Sequence, residues 1–398
     1  MFDRFIPPKR ILMGPGPTNV PESVLSALGA PTVGHLDPSF MTLMDEIKVM
    51  LQTVFNTQNQ LTMPISAPGS AGMESCFVNL VEPGDEVLVG VNGVFGGRMV
   101  ENVRRLGGKA IVVESPWGQA ITPQQIATAL DQHPKVKIVA FVHAETSTGV
   151  LSDAEGICKE AQSRSLLTIV DMVTSLAGVE VNVDDWGIDA AYSGSQKCLA
   201  CVPGLSPVTF SDKAIEVIKN RKTEVTSWFL DKTLVMAYWG NNAERGGARS
   251  YHHTAPVNAL YALHESLRLL LNEGLTASWT RHRNAHLALV AGIESMGLNM
   301  LVDIEHRLPQ LNTIKVPANI NEAQVRNDLL QEQGLEIGAG LGSLAGKVWR
   351  IGLMGPNATI ERVTICLDHF SQALAKQGFD IDINKASTQA RKMHSSLQ

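Results

Sequence analysis

The sequence predicts a doubly wound α/β domain followed by a smaller α+β domain, and three observations carry this. Short apolar runs alternate with helical patterns between about residues 60 and 210. Several of the runs are apolar throughout, which marks strands covered on both faces of a parallel sheet. After about residue 270 the alternation gives way to a mixture of helices and strands.

The elements follow in order. Residues 1–20 form an N-terminal arm ending in Gly14-Pro15-Gly16-Pro17, which cannot form regular structure and reads as an ordered turn. The large domain spans 21–272, with strand-like runs at 86–91, 109–113, 137–143, 166–171, 188–193 and 206–210. Helix starts are legible between them. Thr122-Pro123-Gln124-Gln125 offers an N-cap, a proline at N1 and a glutamine at N3, and Ser152-Asp153-Ala154-Glu155 reads as a second capping box. The small domain spans 273–385, with a helix through Trp279-Thr280-Arg281-His282, strands at 312–316 and 347–352, and a helix at 322–332. Residues 386–398 form a helix and a frayed tail.

Composition narrows the function. The 398 residues are 44% apolar and 18% charged, enough for a sizeable core, and the net charge of −6 does not favour nucleic acid or anionic membranes. No run of 18 apolar residues occurs. The first ten residues lack a continuous apolar segment, the last four do not form the Ser-Lys-Leu address, and five scattered cysteines make no disulfide framework. A reduced cytoplasmic protein is the expectation.

The chemistry concentrates around a lysine. Lys197, in Gly194-Ser195-Gln196-Lys197-Cys198, follows an apolar strand and sits among small residues where open α/β sheets bind ligands. Twenty-six residues earlier another apolar run ends in Asp171, and neighbouring strands would bring both side chains to one crevice. A lysine amine condenses with an aldehyde as a Schiff base, and an aspartate facing a pyridine nitrogen keeps it protonated as an electron sink. Ser66-Ala67-Pro68-Gly69-Ser70-Ala71-Gly72 leads into a helix at 73–80, where backbone amides and the helix N-terminus suit a phosphate. No Gly-Lys-Ser/Thr follows, so it is not a nucleotide-triphosphate loop.

Six motifs in order give the chain a family resemblance over nearly its whole length. They are Gly14-Pro15-Gly16-Pro17, Glu145-Thr146-Ser147-Thr148-Gly149, Val170-Asp171-Met172-Val173-Thr174-Ser175, Gly194-Ser195-Gln196-Lys197, Tyr251-His252-His253-Thr254 and Lys347-Val348-Trp349-Arg350-Ile351-Gly352. The chain resembles the class V aminotransferases, in the alanine–glyoxylate and serine–glyoxylate (serine–pyruvate) branch. The resemblance implies fold type I, pyridoxal 5′-phosphate as cofactor, a homodimer with a shared site, and ping-pong transamination between a small amino acid and glyoxylate or pyruvate. It makes Lys197 the Schiff-base and acid/base lysine, and Asp171 the partner of the pyridine nitrogen. Ser147 would bond the phenolic oxygen, and Gly69, Ser70 and Gln196 the phosphate. Tyr251 and Thr254 would reach the phosphate from the neighbouring subunit, and Arg350 would clamp the substrate carboxylate. Phe95 would stack on the ring, where this branch often has tryptophan.

Other signals are set aside. Cys198-Leu199-Ala200-Cys201 has no second pair for a metal site. Gly338-Ala339-Gly340-Leu341-Gly342 precedes a strand instead of opening a helix, so it is no dinucleotide loop; it reads as a mobile loop at the substrate entrance. His252 and His253 read as structural, no metal is expected, and His35 reads as a turn residue or a border of the site. A lyase or desulfurase of the same family would carry histidine before the lysine and a loop cysteine, where this chain has Gln196 and no cysteine at 335–346. A pyridoxamine–pyruvate aminotransferase shares the lysine and arginine motifs and is the alternative. A non-catalytic binding protein has no use for an acid/base lysine together with a carboxylate clamp.

Overall fold

The computed structural model describes residues 1–240 and 249–397. It divides into two compact units: one of residues 20–280 and 302–308, the other of residues 1–19, 281–301 and 309–398.

The larger unit is built on seven strands: β1 (Leu61–Ile65), β2 (Glu86–Val91), β3 (Lys109–Glu114), β4 (Val136–Val142), β5 (Leu167–Asp171), β6 (Ala190–Tyr192) and β7 (Ser206–Phe210), in the order β1-β7-β6-β5-β4-β2-β3. Only β7 runs antiparallel to its neighbours. The central strands are buried along their length, as the unbroken apolar runs predicted, while edge strand β3 alternates toward exposure. The register places Asp171, last residue of β5, beside Val142 of β4 and Tyr192 of β6. Three strand ends therefore meet where chemistry is expected.

Two helices matter for the site. Helix α1 (Gly69–Leu80) begins four residues earlier than the sequence predicts, directly after Pro68. Helix α2 (Val94–Arg105) follows β2 through Asn92-Gly93. The capping box at Thr122 forms as predicted, with Gln125 reciprocating. At the second predicted box the cap is Asp153, which accepts from Gly156 N, while the Ser152 hydroxyl turns to Ile121 N. The reason is local: aspartate one position on already satisfies the same orphan donor.

The smaller unit holds a three-stranded antiparallel sheet of β8 (Leu311–Lys315), β9 (Gly338–Ala339) and β10 (Val348–Gly352), in the order β8-β10-β9. Its core is gathered around Trp349, Phe370, Leu367 and Ile351. One sequence expectation is corrected here. Residues 338–339 are a strand paired with Arg350 and Trp349, not a mobile loop, because ladder hydrogen bonds satisfy their backbone. Ile11–Leu12 pairs in parallel with Leu335–Glu336, so the arm packs as part of this unit. The last helix, Lys385–Ser395, buries Ala386 and Ala390 in the same core. Among the described residues, no helix is long and apolar enough to cross a membrane.

Candidate active site

The ends of β4, β5 and β6 and the starts of α1 and α2 surround a cavity of about 200 Å³ in the larger unit. Lys197 and Asp171 both line it, with Gly69, Ser70, Phe95 and Gln196. Six of the residues expected from sequence are thus brought to one space. Sheet register accounts for Asp171. The turn after β6, closed by Lys197 N donating to Gly194 O and Ala200 N to Lys197 O, accounts for Lys197.

Asp171 is buried, and burial pushes its carboxyl up to about 7. Hydrogen bonds oppose that: Tyr192 Oη donates to Oδ2 at 2.7 Å and Val173 N to Oδ1 at 2.8 Å. The Glu145 carboxylate raises the pKa further and the Lys197 ammonium lowers it. Tyr192 is itself raised well above its ordinary value by burial and by Asp171, so it stays a donor. Tyr192 lies within the run predicted at 188–193, but nothing in the linear pattern singles it out.

Ser147 is corrected. Its hydroxyl donates to Glu145 Oε1 at 2.5 Å and accepts from Val94 N at 3.0 Å, so it is turned away from the cavity, and its neighbour Thr146 lines the space instead. In a tight turn, adjacent side chains point apart, and the motif alone cannot say which faces inward. Tyr251 and Thr254 do not line this chain's cavity either. They lie exposed on the surface, 3.4 Å apart oxygen to oxygen, and His35 packs on the Tyr251 ring with centroids 5.2 Å apart. His253 Nε2 shares a hydrogen bond with Ser66 Oγ, and Trp228 stacks on His252. Among the described residues, no group of three His, Cys, Asp or Glu side chains could hold a metal. All five cysteines are buried and none forms a disulfide.

Arg98 was not foreseen. It lines the cavity with its guanidinium carbon 4.8 Å from the Phe95 ring centre. Arg350 lies in the smaller unit, at the centre of β10, buried, with Nε donating to Ala339 O at 2.6 Å.

These residues fit pyridoxal phosphate. α1 presents its N-terminus at the cavity beside Gln196, and the buried Asp171 carboxylate on the same cavity suits a protonated pyridine nitrogen. Gly93 lets the start of α2 approach Glu145 and Ser147 closely, since a Cβ there would overlap both.

A mostly parallel α/β sheet with a lysine and an aspartate on one cavity at its strand ends defines a fold type I enzyme that uses pyridoxal phosphate. The chain belongs to the class V aminotransferases, whose family model matches residues 11–364. It is 39% identical to the alanine–glyoxylate aminotransferase of Drosophila melanogaster over 383 residues, covering 95% of this chain and 96% of that one. Its structure resembles that of the Nostoc alanine–glyoxylate aminotransferase with a TM-score of 0.91 and 45% identity, covering 94% of this chain and 97% of the other. It also resembles the ureidoglycine–glyoxylate aminotransferase of Bacillus subtilis with a TM-score of 0.94 and 36% identity, covering 99% and 100%. The protein is an aminotransferase.

Proposed function

We propose that this aminotransferase moves an amino group from a small amino acid, alanine or serine, to glyoxylate, with pyruvate as the lesser acceptor. The observation that carries the chemistry is the placement of Lys197 and Asp171 on one buried cavity. The relatives carry the acceptor: those from Drosophila and Bacillus differ in the donor in their names but share glyoxylate.

In this reading Lys197 would hold the cofactor through its amine, Asp171 would partner the pyridine nitrogen, and Phe95 would stack on the ring. Thr146 takes the phenolic oxygen in place of Ser147. Gly69, Ser70 and Gln196 hold the phosphate, with Tyr251 and Thr254 reaching in from a second copy of the chain in a homodimer. When bound, the cofactor draws electrons away from the donor's α-carbon. Lys197 Nζ would accept the α-proton and later return one, acting as base and then acid. Asp171 holds the charge that keeps the ring nitrogen protonated. Arg350 binds the carboxylate of donor and acceptor in turn, a task for a planar two-pronged donor. The two half-reactions use one site in alternation, which makes the kinetics ping-pong. Five cysteines, all buried and none in a disulfide, suit a reducing compartment, and we place the protein in the cytoplasm.

A panel of amino donors against glyoxylate and pyruvate, ranked by kcat/KM, tests the assignment. Alanine or serine with glyoxylate should rank first, and a preference for pyridoxamine with pyruvate would overturn it.

A further inference from the structure

Glu145 is a fully buried carboxylate that the reaction steps above do not use. It accepts four hydrogen bonds. On Oε1 they come from Ser147 N at 3.0 Å and Ser147 Oγ at 2.5 Å, and on Oε2 from Phe95 N at 3.1 Å and Gly96 N at 3.3 Å. The last two donors belong to the first turn of α2, whose own N-cap residue, Gly93, has no side chain to offer. Glu145 therefore caps α2 from another element, and its charge lies at the favourable end of the helix dipole. Burial raises its pKa and the four hydrogen bonds oppose that.

The same carboxylate organises two walls of the cavity. On one side it fixes the backbone of Phe95, which lines the cavity. On the other, its bonds to Ser147 close a tight turn from Glu145 to Ser147, and Thr146 between them faces the cavity. We infer that Glu145 is a positioning residue, which sets Phe95 over the cofactor ring and Thr146 at its edge through one buried carboxylate. This rests on the reading of Phe95 as the stacking residue.

Electrostatics predicts the opposite sign from positioning, which makes the inference testable. Glu145 raises the pKa of Asp171 and adds negative charge near a site for a phosphate, so neutralising it should tighten cofactor binding if charge were its only role. As a positioning residue, Glu145→Gln should weaken binding, because an amide presents N–H groups to two of the four donors.

The experiment uses the full chain dialysed free of cofactor and titrated with pyridoxal 5′-phosphate. Binding is followed by visible absorbance and by the induced circular dichroism of the bound ring, for Glu145→Gln, Phe95→Leu and the double variant. Glu145→Gln should weaken binding about 10-fold and change the dichroism, and in the Phe95→Leu background it should add about 2-fold or less. Unchanged or tighter binding in Glu145→Gln, or losses that multiply in the double variant, would overturn the inference. If Phe95→Leu weakens binding while Glu145→Gln does not, stacking stands and the positioning role falls. If Phe95→Leu has no effect at all, the stacking reading fails first and the inference with it. Should Glu145→Gln not fold, Ser147→Ala removes one donor from the same carboxylate and should show a smaller loss with a change in the dichroism; unchanged binding and dichroism there would overturn the inference equally.

Discussion

Tyr192 donates its phenolic hydrogen to Asp171 Oδ2 at 2.7 Å, both residues lying buried at adjacent strand ends in matched register. That hydrogen bond favours the ionised carboxylate, which burial disfavours, and so it sustains the charge a pyridine nitrogen needs. Tyr192→Phe removes the oxygen and leaves the ring packing. Asp171 should then hold its proton to higher pH, the acidic limb of kcat against pH should move upward, and kcat at neutral pH should fall about 10-fold, for one charged hydrogen bond of about 1.5 kcal/mol. A pH–rate profile superimposable on that of the unaltered enzyme would show that the tyrosine only fills space.

Asp171 carries a cost in the cofactor-free protein. Its pKa of about 7 lies above the unfolded value of 3.8, so between those values the folded state holds the extra proton. Stability falls as pH rises through that window, and the cost is full above about pH 7. Asp171→Asn should therefore stabilise the cofactor-free protein at pH 8 by about 1–2 kcal/mol once the mismatch of the amide with Val173 N is deducted. The gain should vanish toward pH 4. Adding cofactor should stabilise the variant less than the native enzyme. Calorimetry at three pH values with and without cofactor decides it; a variant destabilised at pH 8 would show the carboxylate is already compensated.

Arg350 is oriented by its Nε bond to Ala339 O, and its planar guanidinium has the geometry to meet both oxygens of a carboxylate. Arg350→Lys keeps the charge and loses the fork. KM should rise 10- to 100-fold for donor and acceptor alike, from about 1.5–3 kcal/mol of lost charged hydrogen bonding, while the absorbance of the bound cofactor stays as it was. A KM change confined to one substrate would argue against a shared carboxylate clamp.

The parallel core was legible in sequence because its strands are buried on both faces, and the runs at 86–91 and 206–210 coincide with β2 and β7. Asp171 was legible because it closes an apolar strand, and Lys197 because it follows one among small residues. What sequence could not resolve depends on direction or on distant partners. Ser147 and Thr146 are neighbours with similar hydroxyls, and only the turn decides which one faces inward. Glu145 gains its meaning from α2, some fifty residues away in the chain. Residues 338–339 read as loop because two glycines flank Ala339, yet the ladder with β10 overrides that propensity.

Lys232 was invisible to sequence reading and is fully buried, its amine donating to Leu230 O at 3.3 Å and lying 5.8 Å from the Phe210 ring centre. Burial lowers its pKa to about 7, with the Cys76 and Asp231 charges pulling the other way. The unfolded chain holds this proton up to its ordinary 10.5. Between those values the unfolded state binds more protons, so stability rises with pH from about 7 to 10.5, and the cost of the buried amine is full below pH 7. Lys232→Met has a similar volume and no charge to desolvate. It should stabilise the protein at pH 7 by up to about 4 kcal/mol, since Asn79 Nδ2 still donates to the Leu230 carbonyl at 2.8 Å, and the gain should shrink steadily toward pH 10. Unfolding curves of both proteins at pH 6.5, 8 and 10 measure the difference. A variant that is less stable at every pH would show that the amine's contacts outweigh its burial.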